Sequence, residues 1–136
     1  MRFSIKTRGN NDVIDITEQI LEIVKKSRVK EGICVISCPG STCGLTTIEA
    51  DPNLLEDFKE FLEKIIPSDR AYRHDQTWGD KNAFSHLRSA LIKPFLTVPI
   101  EENNLVLGQW QNIVLVDFDN RPRERQIIVK IIGKPH

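Results

Sequence analysis

A stretch bounded by two prolines, Pro52 and Pro67, constrains the fold of this sequence more than any other feature. Asp51 is a suitable N-cap, and Pro52 fits the first helical position because its missing N–H would have no helical partner there. Pro67 cannot continue a helix, so the helix must end before it. Between the prolines one apolar stripe recurs at helical spacing: Leu54, Leu55, Phe58, Phe61, Leu62 and Ile65.

Strand patterns lie on both sides of this helix. Phe3, Ile5 and Thr7 alternate with polar residues, and the continuous apolar run 33–36 predicts a strand buried on both faces. Further strands are predicted at 13–16, 95–100, 106–107, 113–118 and 127–132, and further helices after an N-cap at Thr17 and after Asp80. This order predicts a single α+β domain, residues 1–136, with a mixed or antiparallel sheet and two to three helices.

The charge and cysteine content argue against several classes of protein. Lys plus Arg and Asp plus Glu both number 19, so the basic excess of a nucleic-acid or anionic-membrane binder is missing. No apolar run reaches the roughly 20 residues of a membrane helix, and no signal-peptide pattern is present. The three cysteines do not resemble a secreted disulfide framework, so we expect a reducing, cytoplasmic location.

A stretch rich in glycine and hydroxyl groups, 38–49, follows the run 33–36. Backbone N–H groups in such a turn can point at an anion, and Ser and Thr hydroxyls add donors. One hypothesis is that Gly40, Ser41 and Thr42 bind phosphate or another substrate oxyanion. The alternative is an ordinary connection whose hydroxyls bond to their own backbone. A nucleotide P-loop is excluded because its spacing and lysine are missing.

A second stretch, 74–88, contains two of the three histidines. Asn82, His86 and Ser89 follow one another at intervals of four and three residues, so they share one stripe of the helix predicted after Asp80. That stripe borders the apolar stripe, and its polar groups are therefore expected at the edge of a cleft.

Imidazole can act as acid, base or metal ligand near neutral pH, and Asp75 is placed to orient His74. The alternative is that His74 lies in solvent and His86 bonds to backbone. A zinc site formed by both histidines with Cys38 and Cys43 is disfavoured, because C-x4-C…H-x11-H matches no standard structural-zinc spacing.

Two segments nearer the C-terminus contain further candidate ligand-binding residues. Trp110 stands between Gln109 and Gln111, and an aromatic ring flanked by amides can wall a ligand pocket. The turn 119–125 contains Arg123, whose guanidinium fork can grip phosphate. The alternatives are a core tryptophan and a solvated hairpin face.

In order and spacing, these segments resemble the YjbQ-like family, also known as the secondary thiamine-phosphate synthase enzyme family. The resemblance covers nearly the whole chain and rests on Asp15-Ile16-Thr17, Gly44-Leu45-Thr46 with Glu49, Asp51-Pro52, His74-Asp75, Asp80-Lys81-Asn82-Ala83 with His86-Leu87, Leu107-Gly108-Gln109-Trp110-Gln111, and Asp119 with the arginines that follow. It implies a small α+β fold that forms a homotrimer. It also implies a histidine-lined site near the subunit boundaries, with a divalent metal, zinc or magnesium, in some members.

The activity that the resemblance implies is a weak coupling of hydroxymethylpyrimidine pyrophosphate with a thiazole phosphate. The catalytic candidates are then His74, His86 and Glu49, with both histidines also candidate metal ligands. The candidates for binding the phosphorylated substrate are Gly40, Ser41, Thr42, Asn82, Arg88, Trp110, Gln111 and Arg123.

One departure from the family pattern concerns the metal. The family loop begins with a histidine, and Gly40 stands in its place here. A three-histidine metal site is therefore not carried over whole, and His136 matches no family position. The alternative functions are a non-catalytic binder of phosphorylated metabolites, a metal-dependent hydrolase and, last, a purely structural protein.

Overall fold

The computed structural model describes residues 1–135, so His136 lies outside the described residues. Within that range the elements are β1 Arg2–Thr7, β2 Asp12–Asp15, α1 Thr17–Ser27, β3 Val29–Ser37, β4 Cys43–Ile48, α2 Pro52–Ile65, α3 Asp75–Trp78, α4 Ala83–Ile92, β5 Phe95–Glu101, β6 Asn104–Leu105, β7 Asn112–Asp117 and β8 Arg123–Pro135. None of the helices in residues 1–135 has the length and apolar character needed to span a membrane.

The strands form two antiparallel sheets. The larger sheet has the order β1-β8-β3-β5-β6, and the smaller sheet has the order β2-β7-β4. The last strand, β8, pairs with β1 on one side and with β3 on the other, so it joins the N-terminal strand to the rest of the larger sheet. The α+β prediction with an antiparallel sheet is confirmed.

The core lies on both faces of β7. Ile113 and Leu115 belong to the main apolar cluster, which α1 and strands of both sheets share. Val114 and Val116 point the other way, into a second cluster with Leu62 of α2. Because successive strand residues face opposite sides, a strand covered on both faces has an unbroken apolar run, as β7 does.

The N-terminus of α2 agrees with the sequence prediction. The helix begins at Pro52, and Oδ2 of Asp51 accepts a hydrogen bond from the backbone N–H of Leu54 at 2.9 Å. This bond satisfies one of the N–H groups that have no helical partner at a helix start. The helix contributes Leu62, which is fully buried, to the second cluster.

Four details of the sequence prediction are wrong. The structure has four helices rather than two or three, because α3 adds a single turn at Asp75–Trp78. Ile33 is 40% exposed, so β3 is covered fully on one face only. Thr17 is not the N-cap of α1; instead the Asp15 carboxylate accepts from its N–H and its hydroxyl at 3.0 and 2.6 Å. The stretch 38–49 is not all loop, since β4 occupies residues 43–48.

Helix α4 is fixed to the smaller sheet by two buried hydroxyls. Ser85 donates to the carbonyl of Phe118 at 2.5 Å, and Ser89 donates to the carbonyl of Cys43 at 2.6 Å. Gly44 permits this close approach, because a Cβ there would lie 2.8 Å from Phe118 and 2.9 Å from Ile92. The position of α4 on β4 is therefore set by contacts that leave no space for a larger residue.

We expect Gly44→Ala to destabilise the chain by about 1–3 kcal/mol, since overpacking outweighs the small entropic benefit of alanine. Denaturant unfolding measures this loss. Gly108→Ala is the matched control, because a Cβ there would meet only the flexible end of the Gln111 side chain. Equal stability of the two variants would contradict the tight packing of α4 on β4.

Candidate functional site

Two histidines from different segments lie side by side. His86 is on α4, and His74 directly precedes α3. Their ring centroids are 4.9 Å apart, and the ring planes are inclined by 56°. Both side chains are partly buried. The sequence therefore identified two imidazoles that the fold brings into contact.

The histidine pair lines a cleft of about 480 Å³, within the roughly 300–1,000 Å³ typical of ligand pockets. Its lining residues are Arg70, Ala71, Tyr72, Arg73, His74, Ala83, His86 and Leu87. This lining contains two arginines and two histidines but no carboxylate. Such a cleft favours an anionic ligand, because guanidinium groups bind phosphate and carboxylate oxygens through paired hydrogen bonds.

The His74 ring has a free nitrogen. Nδ1 of His74 is buried and has no hydrogen-bond partner within residues 1–135. Buried polar atoms in folded proteins are nearly always paired, and Oδ1 of Asn82 and Nε of Arg88 are likewise without a partner within these residues. The predicted role of Asp75 as the orienter of His74 is wrong, because its carboxylate accepts instead from the backbone N–H of Tyr72 at 3.0 Å.

A buried ionic network lies beneath the loop that joins β3 to β4. Arg125 donates to both carboxylate oxygens of Asp117, at 2.8 and 2.9 Å, and to the Thr42 hydroxyl at 2.7 Å. Asp117 also accepts from the Thr7 hydroxyl at 2.5 Å. The carboxylate and the guanidinium are almost entirely removed from water. Thr42 is therefore held by protein partners in this network.

A second carboxylate, Asp119, extends the network towards α4. It accepts from Nε of Arg123 at 2.7 Å, from the Asn82 side-chain amide at 3.2 Å and from the Thr42 hydroxyl at 3.3 Å. Burial raises the pKa of Asp119, but the hydrogen bonds from Asn82 and Arg123 outweigh it and hold that pKa below its usual value. Three of the predicted substrate-binding residues, Thr42, Asn82 and Arg123, thus meet at one carboxylate. Asn82 immediately precedes Ala83 of the cleft, so the network borders the histidine site.

Arg88 lies away from the cleft opening and is 1% exposed. Its guanidinium donates to Glu63 at 2.9 Å, to the carbonyl of Ile66 at 2.7 Å and to the Asn11 side chain at 3.1 Å. Hydrogen bonds from Ser68 and Arg88 lower the pKa of Glu63. Arg88 thereby ties α4 to the end of α2, which makes it a positioning residue rather than a lining residue of the cleft.

The remaining candidates lie outside the histidine cleft of the same chain. Gly40, Ser41 and Glu49 are exposed, and Trp110 is 65% exposed. Gln111 donates to the Thr47 hydroxyl at 3.2 Å and borders a separate groove. The five residues are absent from the lining of the cleft, so their substrate-binding and catalytic roles stay predictions that depend on another copy of the chain or on movement.

A metal site is incomplete within one described chain. Among residues 1–135, no group of three or more His, Cys, Asp or Glu side chains is arranged to hold a metal ion. His74 and His86 supply two ligands, whereas catalytic zinc sites use three protein ligands. The disfavoured zinc site of Cys38, Cys43 and both histidines is not formed.

Arg70 and Arg73 were not among the residues selected from the sequence. Both belong to the irregular segment between α2 and α3, where no periodicity predicts which side chains share a surface. The sequence feature that could have identified them is their closeness to His74: Arg70 lies four residues before it and Arg73 one residue before it. Arg70 is held against the Tyr72 ring at 4.4 Å, and the Tyr72 hydroxyl donates to the carbonyl of Pro67 at 2.6 Å.

Comparisons with known proteins match this chain along nearly its whole length. The family model described as UPF0047 protein YjbQ-like matches residues 1–134. A UPF0047 protein of Archaeoglobus fulgidus is 37% identical over 132 residues, which cover 97% of this chain and 100% of that protein. A UPF0047 protein of Methanocaldococcus jannaschii is also 37% identical, with 97% and 93% covered.

Solved structures show the same fold. A YbjQ-like protein of unknown function from Sulfolobus solfataricus superimposes with a TM-score of 0.90 at 33% identity, covering 98% of this chain and 97% of the other. A hypothetical protein from Aeropyrum pernix has a TM-score of 0.91 at 29% identity, with 98% of each chain covered. The arrangement of two sheets around β7 is thus common to these structures.

We expect Arg125→Met to cost about 3–5 kcal/mol, because it leaves the buried Asp117 carboxylate without its cation. Arg123→Met is the matched control and should cost about 1–3 kcal/mol, since Asp119 keeps other donors. Denaturant unfolding at neutral pH measures both changes. A smaller loss for Arg125→Met than for Arg123→Met would contradict the described network.

Proposed function

Because the chain belongs to the UPF0047 family of YjbQ-like proteins, we propose that it binds a phosphorylated small molecule in the cleft of His74 and His86 and acts on it. The observation that carries this proposal is the paired imidazoles beside two arginines, in a cleft without a lining carboxylate. The reaction we propose is the coupling of hydroxymethylpyrimidine pyrophosphate with a thiazole phosphate, which gives thiamine phosphate and pyrophosphate.

In this proposal, Arg70 and Arg73 bind the anion. The guanidinium of Arg70 stacks on Tyr72, which is itself anchored, so less side-chain freedom is lost when a ligand binds. Two guanidinium groups on one wall offer enough donors for a diphosphate. This preference for a phosphorylated ligand does not depend on the identity of the organic part.

The chemical step needs stabilisation of a leaving group. The thiazole nitrogen attacks the methylene carbon, the bond from that carbon to the pyrophosphate oxygen breaks, and pyrophosphate departs with the electron pair. Positioned positive groups lower this barrier because negative charge grows on the departing oxygen. A protonated His74 or His86 can donate a proton to that oxygen, since both side chains line the cleft.

We also propose the homotrimer that the resemblance implies. Large apolar side chains are exposed beside the groove at β5 and β6: Phe95 is 56% exposed, Val106 45% and Trp110 65%. Burial of such a surface between copies would lower its free energy. The assembly would give Glu49, Trp110 and Gln111 a route to the cleft of a neighbouring copy. Light scattering coupled to gel filtration measures the mass.

A divalent metal is a separate element of the proposal. His74 and His86 are the two ligands that one chain offers at the cleft for zinc, whereas a magnesium ion would be carried in by the oxygen atoms of the diphosphate. One subunit falls short of the three protein ligands of a catalytic zinc site, so we assign no chemical step to the metal. Metal analysis of the purified protein tests whether zinc is bound in stoichiometric amount.

A non-catalytic binder of phosphorylated metabolites is the second candidate. It is favoured by the absence of a carboxylate from the cleft lining, since a bound anion needs the arginines but no acid–base partner. A metal-dependent hydrolase is the third, and it would release inorganic phosphate in a reaction that chelators stop. With the same pair of substrates, the synthase would therefore give thiamine phosphate, the hydrolase would give inorganic phosphate, and the binder would give no product.

We expect His86→Ala to lower thiamine phosphate formation by about 10²–10⁴-fold, the usual worth of a general acid or base, while the protein stays folded. Product is measured by chromatography, and the fold by circular dichroism. Glu22→Ala on the exposed face of α1 is the control, because it lies far from the cleft lining. Unchanged turnover in His86→Ala would exclude a catalytic role for that imidazole.

We expect Arg73→Ala to weaken binding of thiazole phosphate by about tenfold or more, because a charge-assisted contact is worth roughly 1.5–3 kcal/mol. Calorimetry measures the dissociation constant. Arg2→Ala, which removes an exposed arginine of β1, is the matched control and should bind like the unchanged chain. Equal affinity of the two variants would contradict anion binding in the cleft, whether or not turnover occurs.

A further inference from the structure

Two cysteines face each other across the loop between the sheets. The sulfur atoms of Cys38 and Cys43 are 3.2 Å apart, both side chains are fully buried, and both are free thiols. Cys38 directly follows β3 of the larger sheet, and Cys43 begins β4 of the smaller sheet. The pair therefore spans the connection between the two sheets. At this separation no other atom fits between the two sulfur atoms.

The two thiols have different surroundings. A Cβ at Gly40 would lie 3.0 Å from Nη1 of Arg125 and 3.2 Å from Sγ of Cys43, so the guanidinium and this sulfur flank the same point. Hydrogen bonding to Cys38 lowers the pKa of Cys43, and the charge of Arg125 acts in the same direction, against the effect of burial. The same hydrogen bond, together with burial, raises the pKa of Cys38.

We propose that Cys38 and Cys43 are a redox modification site, which hydroperoxides convert reversibly into an intramolecular disulfide. Both cysteine side chains are fully buried, so the proposal requires the exposed loop residues Pro39, Gly40 and Ser41 to move aside for the oxidant. This site is distinct from the histidine cleft, since neither cysteine lines that cleft. The inference therefore stands independently of the proposed reaction.

The oxidation takes place in two balanced steps. The Cys43 thiol gives up its proton and its sulfur attacks one oxygen of the hydroperoxide. The O–O bond breaks, the departing alkoxide or hydroxide takes up a proton and leaves as an alcohol or water, and Cys43 becomes a sulfenic acid. The Cys38 sulfur then attacks the Cys43 sulfur, its thiol proton goes to the departing hydroxyl, and water leaves. Two thiols lose two electrons and two protons in total, and a dithiol reductant reverses the change.

The third cysteine provides an internal comparison. Cys34 lies on β3, four residues before Cys38, and is also buried and free. Burial raises the pKa of Cys34 to about 11, so its sulfur stays protonated and reacts slowly with hydroperoxide. The structure thus distinguishes a pair of contacting thiols from a single thiol.

Disulfide formation has a structural consequence at the neighbouring threonine. Thr42 directly precedes Cys43, and its hydroxyl accepts from Arg125 in the buried network. Closing the sulfur separation from 3.2 Å to the roughly 2.05 Å of a disulfide moves this backbone. We therefore expect oxidation to alter the contact between Thr42 and Arg125.

The test uses the full chain, treated with hydrogen peroxide, blocked with an alkylating reagent and digested with trypsin. All three cysteines fall in one peptide, 31–59, because the flanking cleavage sites are Lys30 and Lys59. The expected peptide is lighter by two hydrogen atoms and carries one alkyl group, on Cys34. Cleavage of the backbone at 35–37 should give fragment ions. Cleavage at 39–42 should give none, because the disulfide between Cys38 and Cys43 holds the two pieces together.

Variants and reduction complete the test. Cys34→Ala should still lose both remaining thiols on peroxide treatment, whereas Cys38→Ala should form no disulfide. Dithiothreitol should restore the thiols of the unchanged chain. Three alkylated cysteines after peroxide, or a disulfide that includes Cys34, would overturn the proposal. Since the peptide map of the unchanged chain gives this answer by itself, a Cys38→Ala variant that fails to fold does not prevent the test.

Discussion

The structure depends on two buried carboxylates at the end of β7. This strand is covered by apolar residues on both faces, so Asp117 and Asp119 emerge from it into a region without water. Arg125 and Arg123, from the following strand, neutralise them. Unpaired buried charges cost several kcal/mol, and the connection from β7 in the smaller sheet to β8 in the larger sheet must therefore bring these pairs together. The same carboxylates accept from Thr7, Thr42 and Asn82, which brings β1, the loop before β4 and the start of α4 to one place.

The two polar centres of the molecule differ in what they leave unsatisfied. Around Asp117, the donors and acceptors are nearly all matched within the chain, as expected of a network that specifies a fold. At the histidine cleft, Nδ1 of His74 has no partner in residues 1–135, and two arginines belong to the lining. Arg125 is thus held by partners within the chain, whereas the lining of the cleft keeps positive and ionisable side chains together without a carboxylate.

The sequence predicted the parts of the fold that local chemistry determines. Helix α2 could be predicted from Asp51 and its two prolines, and the antiparallel C-terminal third from its short apolar runs. The sequence did not identify β7 as the strand that is buried on both faces, because burial on both faces depends on which strand lies in the middle of a layer. Arg70 and Arg73 were missed because they lie in the irregular segment between α2 and α3, where no periodicity indicates which side chains share a surface. Helical spacing placed His86 at the edge of the core, but only the fold could show its contact with His74.

The position of β8 has a consequence for how the protein is made. Because β8 lies between β1 and β3, the sheet partner that residues 1–135 give to β1 is a strand far along the sequence. During translation β1 therefore stays unpaired with β8 until β8 has left the ribosome. Such pairing between distant parts of a sequence slows folding and exposes strand edges to other chains. A nascent chain of this kind gains most from chaperones that shield its N-terminal segment.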